Sequence, residues 1–323
     1  MELYFAPLEG ITDHIYRRIH RRYFPGVDRY FTPFLSPTQN HIFPPRERKQ
    51  ILPENNRDVP LTPQLLTKNA ADFLWAANAL EDMGYEEVNL NVGCPSSTVT
   101  AKGKGAGLLG DLDGLRRLLD GIFDASVPVR ISVKTRLGMR DAEEFASILA
   151  VYNDYPISQL IIHPRTKTEM YGGTVHLDAF EKALAASRAP VCYNGDVRTA
   201  ADIRAIRSRF PAIGAIMIGR GLAADPALVC RAEGGASGRD TLKKFHQELC
   251  GAYCAAFGGP GSAIHRMKAI WSLMLGSFQG GENYAKRLAK TANWADFLTL
   301  TGDILDRLEL RPEAADSPFE TEH

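Results

Sequence analysis

Several features that would place the chain in a special class are missing. No apolar run in its 323 residues reaches the ~18 needed for a membrane-spanning helix. Net charge is absent: 38 Lys and Arg are matched by 38 Asp and Glu, which rules out a chain that coats nucleic acid through bulk positive charge. Cysteine is scarce and odd in number, with five residues at Cys94, Cys192, Cys230, Cys250 and Cys254. That argues against a disulfide framework. Cys250 and Cys254 lie one helical turn apart, but a lone pair without a full Cys/His partner set is weak support for a metal, so no metal site is read there. No basic stretch precedes an apolar one near Met1, so no secretory leader is expected and a cytoplasmic location is the default. No G-x-G-x-x-G follows the first apolar run, which weakens a dinucleotide-binding open sheet.

What is present is an ordinary globular composition, 45% hydrophobic and 24% charged, which excludes disordered and collagen-like chains. Short apolar runs recur over 3–8, 27–34, 59–66, 87–92, 127–135, 159–163, 190–194 and 215–218. Near-continuous apolar runs of this length suit parallel strands buried on both faces. Amphipathic stretches separate most of them. One starts at Asn69 as N-cap and ends at Gly84, and another carries Leu115, Leu118, Leu119 and Ile122 at helical spacing. Residues 141–152 and 199–210 read the same way. Eight strands alternating with helices predict an α/β fold, a (β/α)8 TIM barrel, with a doubly wound sheet as the alternative. The stretch 27–63, with its prolines, predicts little helix.

Gly234, Gly235 and Gly238 mark a linker, after which strand signals stop. Residues 241–257, 262–275, 282–290 and 294–308 read as helices. The expected organisation is a barrel over 1–235, a small helical domain over 239–310 and a frayed acidic tail over 311–323. The tail carries one Arg and four acids, which leaves three excess positive charges on the remainder. Arg17, Arg18, Arg21 and Arg22 read either as a solvated helix face or as phosphate contacts.

A barrel of this kind carries its active site at the C-terminal ends of its strands. The polar residues there are Glu9, Gln64, Asn91, Cys94, Lys134, Arg136, His163, Arg165, Asn194, Asp196 and Arg220. Gly195 and Gly219 follow the last two strands, where close backbone approach and Arg220 suit a phosphate, although ordinary turns would read alike. Lys134 in an apolar strand requires a ligand or a buried ion pair. Cys94 reads as a small buried hydrophobe or, at the barrel mouth, as a reactive thiol. His163 could be a core histidine; with Arg165 at a strand end it reads better as a ligand contact.

Six blocks then resemble one family in order. They are Ala6-Pro7-Leu8-Glu9-Gly10-Ile11-Thr12-Asp13, Asn89-Leu90-Asn91-Val92-Gly93-Cys94-Pro95-Ser96, Val133-Lys134-Thr135-Arg136-Leu137-Gly138, Ile162-His163-Pro164-Arg165-Thr166, Asn194-Gly195-Asp196 and Met217-Ile218-Gly219-Arg220-Gly221. The family is the tRNA-dihydrouridine synthases. The resemblance implies an FMN-dependent oxidoreductase that reduces the 5,6 double bond of specific tRNA uridines, with NADPH as electron donor. It implies Cys94 as the general acid for carbon 5, with hydride delivered from reduced FMN to carbon 6. Pro7, Leu8 and Glu9 would line the flavin, Gln64 would bond its ring, and Lys134 would sit at its N1/O2 edge. Asn194, Gly195, Asp196, Gly219 and Arg220 would hold the ribityl phosphate. His163 and Arg165 would lie near flavin and substrate, and Asn91 would touch the uracil. The target base would leave its stack to reach the pocket.

The partner implied is tRNA, with no membrane, no metal and a monomer as the default state. A groove between barrel mouth and helical domain, with Arg266, Lys268, Lys286 and Arg287, is the expected tRNA surface. Two positions depart from the family pattern, Pro33 after Thr32 and Glu169 in place of Gln, and both are expected on the substrate side. The competing readings are a flavin barrel acting on a free pyrimidine or another RNA, a noncatalytic RNA-binding barrel, and a non-flavin phosphate-binding barrel.

Overall fold

The structure, a computed structural model, describes residues 1–235 and 237–311. The expected acidic tail lies outside these residues apart from Arg311. The strands are β1 (Glu2–Phe5), β2 (Arg29–Phe31), β3 (Leu61–Thr62), β4 (Gln64–Leu65), β5 (Glu87–Val92), β6 (Arg130–Arg136), β7 (Leu160–His163), β8 (Val191–Tyr193) and β9 (Ala215–Ile218). All pair in parallel, in the order β3-β2-β1-β9-β8-β7-β6-β5-β4. Pro63 alone separates β3 from β4, and it has no N–H to give to the ladder. Its carbonyl still accepts from Asn89 N at 2.8 Å. The two pieces therefore act as one strand between β2 and β5, and the sheet closes as the eight-stranded TIM barrel the sequence predicts.

The helices are α1 (His14–Tyr23), α2 (Pro45–Ile51), α3 (Ala70–Glu81), α4 (Ser97–Thr100), α5 (Leu112–Phe123), α6 (Phe145–Tyr152), α7 (Leu177–Ala186), α8 (Ala200–Arg209), α9 (Arg220–Ala224), α10 (Leu228–Ala232), α11 (Arg239–Ala256), α12 (Pro260–Met274), α13 (Glu282–Lys290) and α14 (Trp294–Arg307). Asn69 caps α3 by accepting from Ala71 N and Asp72 N, as its position predicts. Helix α2 stands in the proline-rich stretch expected to hold little helix. Pro45 opens it, where a fixed φ and a missing N–H cost nothing.

Two apolar clusters result. Tyr4, Ala6, Phe31, Ile161, Cys192, Ala215 and Met217 fill one side of the barrel interior. The larger cluster lies between strands and helices and runs without a break into α11, α12 and α14 through Phe245, Trp271 and Phe297. The other side of the interior, across β4, β5 and β6, is lined by Gln64, Asn89 and Ser132, all buried. Arg17 fits neither of its expected readings. It is fully buried and donates to the carbonyls of Thr12 at 2.8 Å and Gln50 at 2.7 Å and to Asn56 Oδ1 at 2.9 Å, so it pins α1 to α2. Arg22 pairs with Glu248 of α11 and Arg21 donates to the carbonyl of Val27, while Arg18 and Arg22 are the exposed members of the group. None of the helices among the described residues is long and apolar enough to cross a membrane.

Candidate active site

One cavity opens at the C-terminal ends of the strands, and the strands bring almost every expected residue to it. Pro7, Leu8, Glu9, Gln64, Asn91, Cys94, Lys134, His163, Asn194, Gly195, Asp196, Gly219 and Arg220 all line it. Parallel register explains the convergence: Gln64 pairs with Asn89, Asn91 with Lys134, and Arg136 with His163. Neighbouring strands thus present their polar residues at one level.

Lys134 is the odd charge in this wall. Burial, followed by the neighbouring Arg136 charge, lowers its pKa to about 8. No carboxylate pairs with it among the described residues, so the alternative of a buried ion pair is not realised. Gln64 donates through Nε2 to Asn89 Oδ1 at 2.8 Å and accepts at Oε1 from Asn91 Nδ2 at 2.7 Å. Its second amide hydrogen has no bond assigned to it, and the side chain lines the cavity. Asn91 Oδ1 accepts from Gly93 N at 3.0 Å and Cys94 N at 2.9 Å. Asn91 therefore holds the Cys94 loop as well as facing the cavity. Gly105 supports that loop from beneath, with φ +56° and room for no side chain: a Cβ there would lie 2.9 Å from the Cys94 carbonyl oxygen.

His163 is held neutral. Burial and then the charges of Arg136, Lys134, Arg165 and Arg220 push its pKa well below the ordinary imidazole value. Arg165 Nη1 lies 3.2 Å from His163 Nε2. A guanidinium only donates, so Nε2 accepts and the ring hydrogen sits on Nδ1. Arg165 itself does not reach the cavity, contrary to its expected contact with substrate. Only 1% exposed, it donates to the carbonyls of Gly172 at 2.9 Å and Gly173 at 2.7 Å and pairs with Asp196.

That brace turns the loop after β7 back over the cavity. The loop carries Tyr171, whose exposed ring lies under Arg136 at 5.2 Å and Arg220 at 4.9 Å. Tyr171 and Arg198 both line the cavity and were not singled out as site residues from sequence, because their place depends on how two loops return. Glu169, expected on the substrate side, instead accepts from Thr166 N and meets His176 Nε2, both at 2.6 Å. Partial burial opposes its ionisation, yet these donors hold its carboxyl below the usual range. Pro33 and Phe34, the other departure, do line the cavity.

The loops after β8 and β9 close the far end. Asp196, at φ +37°, takes Arg220 Nη2 at 2.9 Å as well as Arg165. Within the protein itself the tightest packing in these two loops falls at Gly221. A Cβ at Gly219 would make only ordinary contacts, whereas one at Gly221 would lie 2.1 Å from the Val197 carbonyl oxygen.

Two of the four cations expected to face tRNA are structural. Arg266 donates to the carbonyl of Gly10 and lies 3.6 Å from Asp13 Oδ2, which ties α12 to the barrel. Lys268 donates to the carbonyls of Ala289 at 2.6 Å and Thr291 at 3.0 Å, at the end of α13. Lys286 and Arg287 remain exposed. No group of three or more metal-ligating side chains occurs among the described residues.

Comparison with known proteins identifies the family. The family model described as dihydrouridine synthase (Dus) matches residues 4–296. A probable tRNA-dihydrouridine synthase of Rhodobacter capsulatus is 32% identical over 222 residues, 68% of this chain and 67% of that one. A tRNA-dihydrouridine(16) synthase of Cupriavidus necator is 28% identical over 291 residues, 83% of this chain and 88% of that one. Among solved structures, morphinone reductase superposes with a TM-score of 0.53 over 73% of this chain and 86% of its own, at 12% identity, a likeness of fold alone. With the family model matched from the first strand into the last helix, the chain belongs to the dihydrouridine synthase family.

Proposed function

We propose that this protein reduces the 5,6 double bond of a uridine in tRNA to 5,6-dihydrouridine, using FMN and NADPH, with Cys94 as proton donor. The observation that carries this reading is the unpaired ammonium of Lys134 in the same wall as Gln64, Cys94 and the Gly195 and Gly219 loops. A half-buried cation without a carboxylate partner, in the wall of a cavity, fits an anionic ligand. A flavin bound there would supply the hydride for carbon 6 of the uracil, having taken it from the nicotinamide.

The chain's own residues do the rest. Lys134 and the free N–H of Gln64 would hold the ring of the cofactor, with Pro7, Leu8, Glu9 and neutral His163 around it. Asn194, Gly195, Asp196, Gly219 and Arg220 would hold its phosphate end. Asn91 keeps the Cys94 backbone at a fixed height, and the thiol gives its proton to carbon 5. Tyr171, broad and exposed at the mouth, is placed to meet the extruded base. Residues 239–310, through Lys286 and Arg287, take up the tRNA beside the barrel. The position in the name of the Cupriavidus necator relative supports uridine 16 as the target.

The test begins with the visible spectrum of the purified protein and the mass of its released chromophore. Two flavin bands and an FMN mass are expected, followed by loss of dihydrouridine at one tRNA position in a deletion strain. Cys94→Ala is expected to keep FMN and lose most turnover. A colourless protein that takes up no added FMN overturns the reading.

A further inference from the structure

We infer that Asn89 is a positioning residue, which acts through Gln64 and Asn91 on the backbone that carries Cys94. The inference rests on the proposed role of Cys94 only for its turnover measurement.

Asn89, Gln64, Asn91 and Ser132 form one hydrogen-bonded chain across three adjacent strands. Its direction follows from the end at the active-site loop. The backbone N–H groups of Gly93 and Cys94 can only donate, so Asn91 must turn Oδ1 to them. Its Nδ2 must then donate to Gln64 Oε1, at 2.7 Å. Gln64 is left with Nε2 facing Asn89, which accepts at Oδ1 at 2.8 Å. Asn89 completes the chain by donating Nδ2 to Ser132 Oγ at 2.9 Å.

Each amide has one orientation that satisfies both neighbours. Turning any of them over would set oxygen against oxygen or nitrogen against nitrogen among buried groups: Asn89 and Ser132 are 0% exposed, Gln64 1% and Asn91 7%. Polar groups left unpaired there are expensive. Asn89 does not line the cavity and touches neither the ligand space nor Cys94. Its effect on the reaction passes through the amide of Gln64, which faces the cavity and holds Asn91.

Two variants at this position separate positioning from simple packing. Asn89→Leu removes both bonds and frees Gln64. Asn89→Asp keeps an acceptor toward Gln64 and offers another to Ser132, whose hydroxyl can rotate to donate. Stability alone ranks Leu above Asp, since a buried carboxylate costs more than a leucine. Positioning ranks Asp above Leu.

The readout is the rate of iodoacetamide alkylation at Cys94, located by mass spectrometry, on protein freed of any flavin. Asn89→Leu is expected to raise it about five- to tenfold; Asn89→Asp is expected to stay within about twofold of wild type. In tRNA turnover, Asn89→Leu is expected to lower kcat about tenfold with KM for tRNA almost unchanged, because the RNA surface is untouched. Equal alkylation in wild type and Asn89→Leu, or equal changes in both variants, overturns the inference. If neither variant folds, Ser132→Ala leaves Asn89 Nδ2 without an acceptor at small cost in volume. Its alkylation rate is expected to rise at least twofold, and an unchanged rate overturns the inference. Wild-type protein that forms no dihydrouridine would instead speak against the proposed function, with the alkylation comparison still decisive for Asn89.

Discussion

Tyr253 of α11 donates its hydroxyl hydrogen to Asp13 Oδ1 at 2.8 Å, and the same oxygen accepts from Tyr16 N at 3.0 Å as the cap of α1. One carboxylate therefore starts the first barrel helix and anchors the helical part beside the barrel mouth. Arg266 of α12 approaches its second oxygen. Asp13→Ala removes the cap and strands a buried hydroxyl and a guanidinium together. The expected loss is about 2–4 kcal/mol, against about 1 kcal/mol for Tyr253→Phe. Denaturant unfolding of both variants checks the order; a larger loss for Tyr253→Phe would show that the tie lies elsewhere.

Lys134 gives a pH signature. Its pKa in the folded protein is about 8, lowered mainly by burial, against about 10.4 in an unfolded chain. Between those values the unfolded chain binds more protons, so the stability of cofactor-free protein should rise as pH goes from about 8 to about 10. Below pH 8 the cost of burying the cation is fully present. Lys134→Met should abolish that rise, raise the Tm of cofactor-free protein at pH 7 by a few degrees, and weaken FMN retention. Thermal unfolding from pH 7 to 10 reads this directly, and parallel curves for the two proteins would contradict it.

His163 should stay neutral through pH 5–8, since burial and four nearby cations all disfavour the imidazolium. Its folded pKa is lowered, so its contribution to stability is lost as pH falls through the unfolded value of about 6.5. Imidazole NMR signals assigned by a His163→Gln variant should not move over that range. A resonance titrating near pH 6.5 would refute the neutral assignment.

For tRNA binding, Lys286→Glu combined with Arg287→Glu should weaken affinity about tenfold and flatten its salt dependence, with the fold intact. Arg266→Glu should lower Tm instead, because its guanidinium holds the Gly10 carbonyl and faces Asp13. Filter binding at two salt concentrations, with thermal melts alongside, separates the two effects. Unchanged affinity in the double variant would move the RNA surface away from α13.

The strands, the closed barrel and most of the cavity wall were legible in the sequence. Apolar runs of strand length mark β5 to β9, and Asn91, Arg136, His163, Asn194 and Arg220 stand at or just past their ends, where a parallel barrel carries them to one mouth. The Asn69 cap is local, so spacing alone locates it. Helix α2 was missed because Pro45 reads as a breaker unless it is known to stand in a first turn.

What residue order could not decide was the destination of long side chains. Arg17 reads as a solvated or phosphate-binding cation, Arg165 as a ligand contact and Arg266 and Lys268 as tRNA contacts, and all four donate to backbone carbonyls. A guanidinium or ammonium reaches several ångströms from its Cα, so its partner is set by which loop the fold brings near. The same holds for Tyr171, which reaches the cavity because Arg165 grips the two glycine carbonyls that follow it. Asn89 shows the limit most clearly. Its place beside Asn91 in one strand is a matter of sequence, but its bonds to Gln64 and Ser132 exist only because β4, β5 and β6 lie in register.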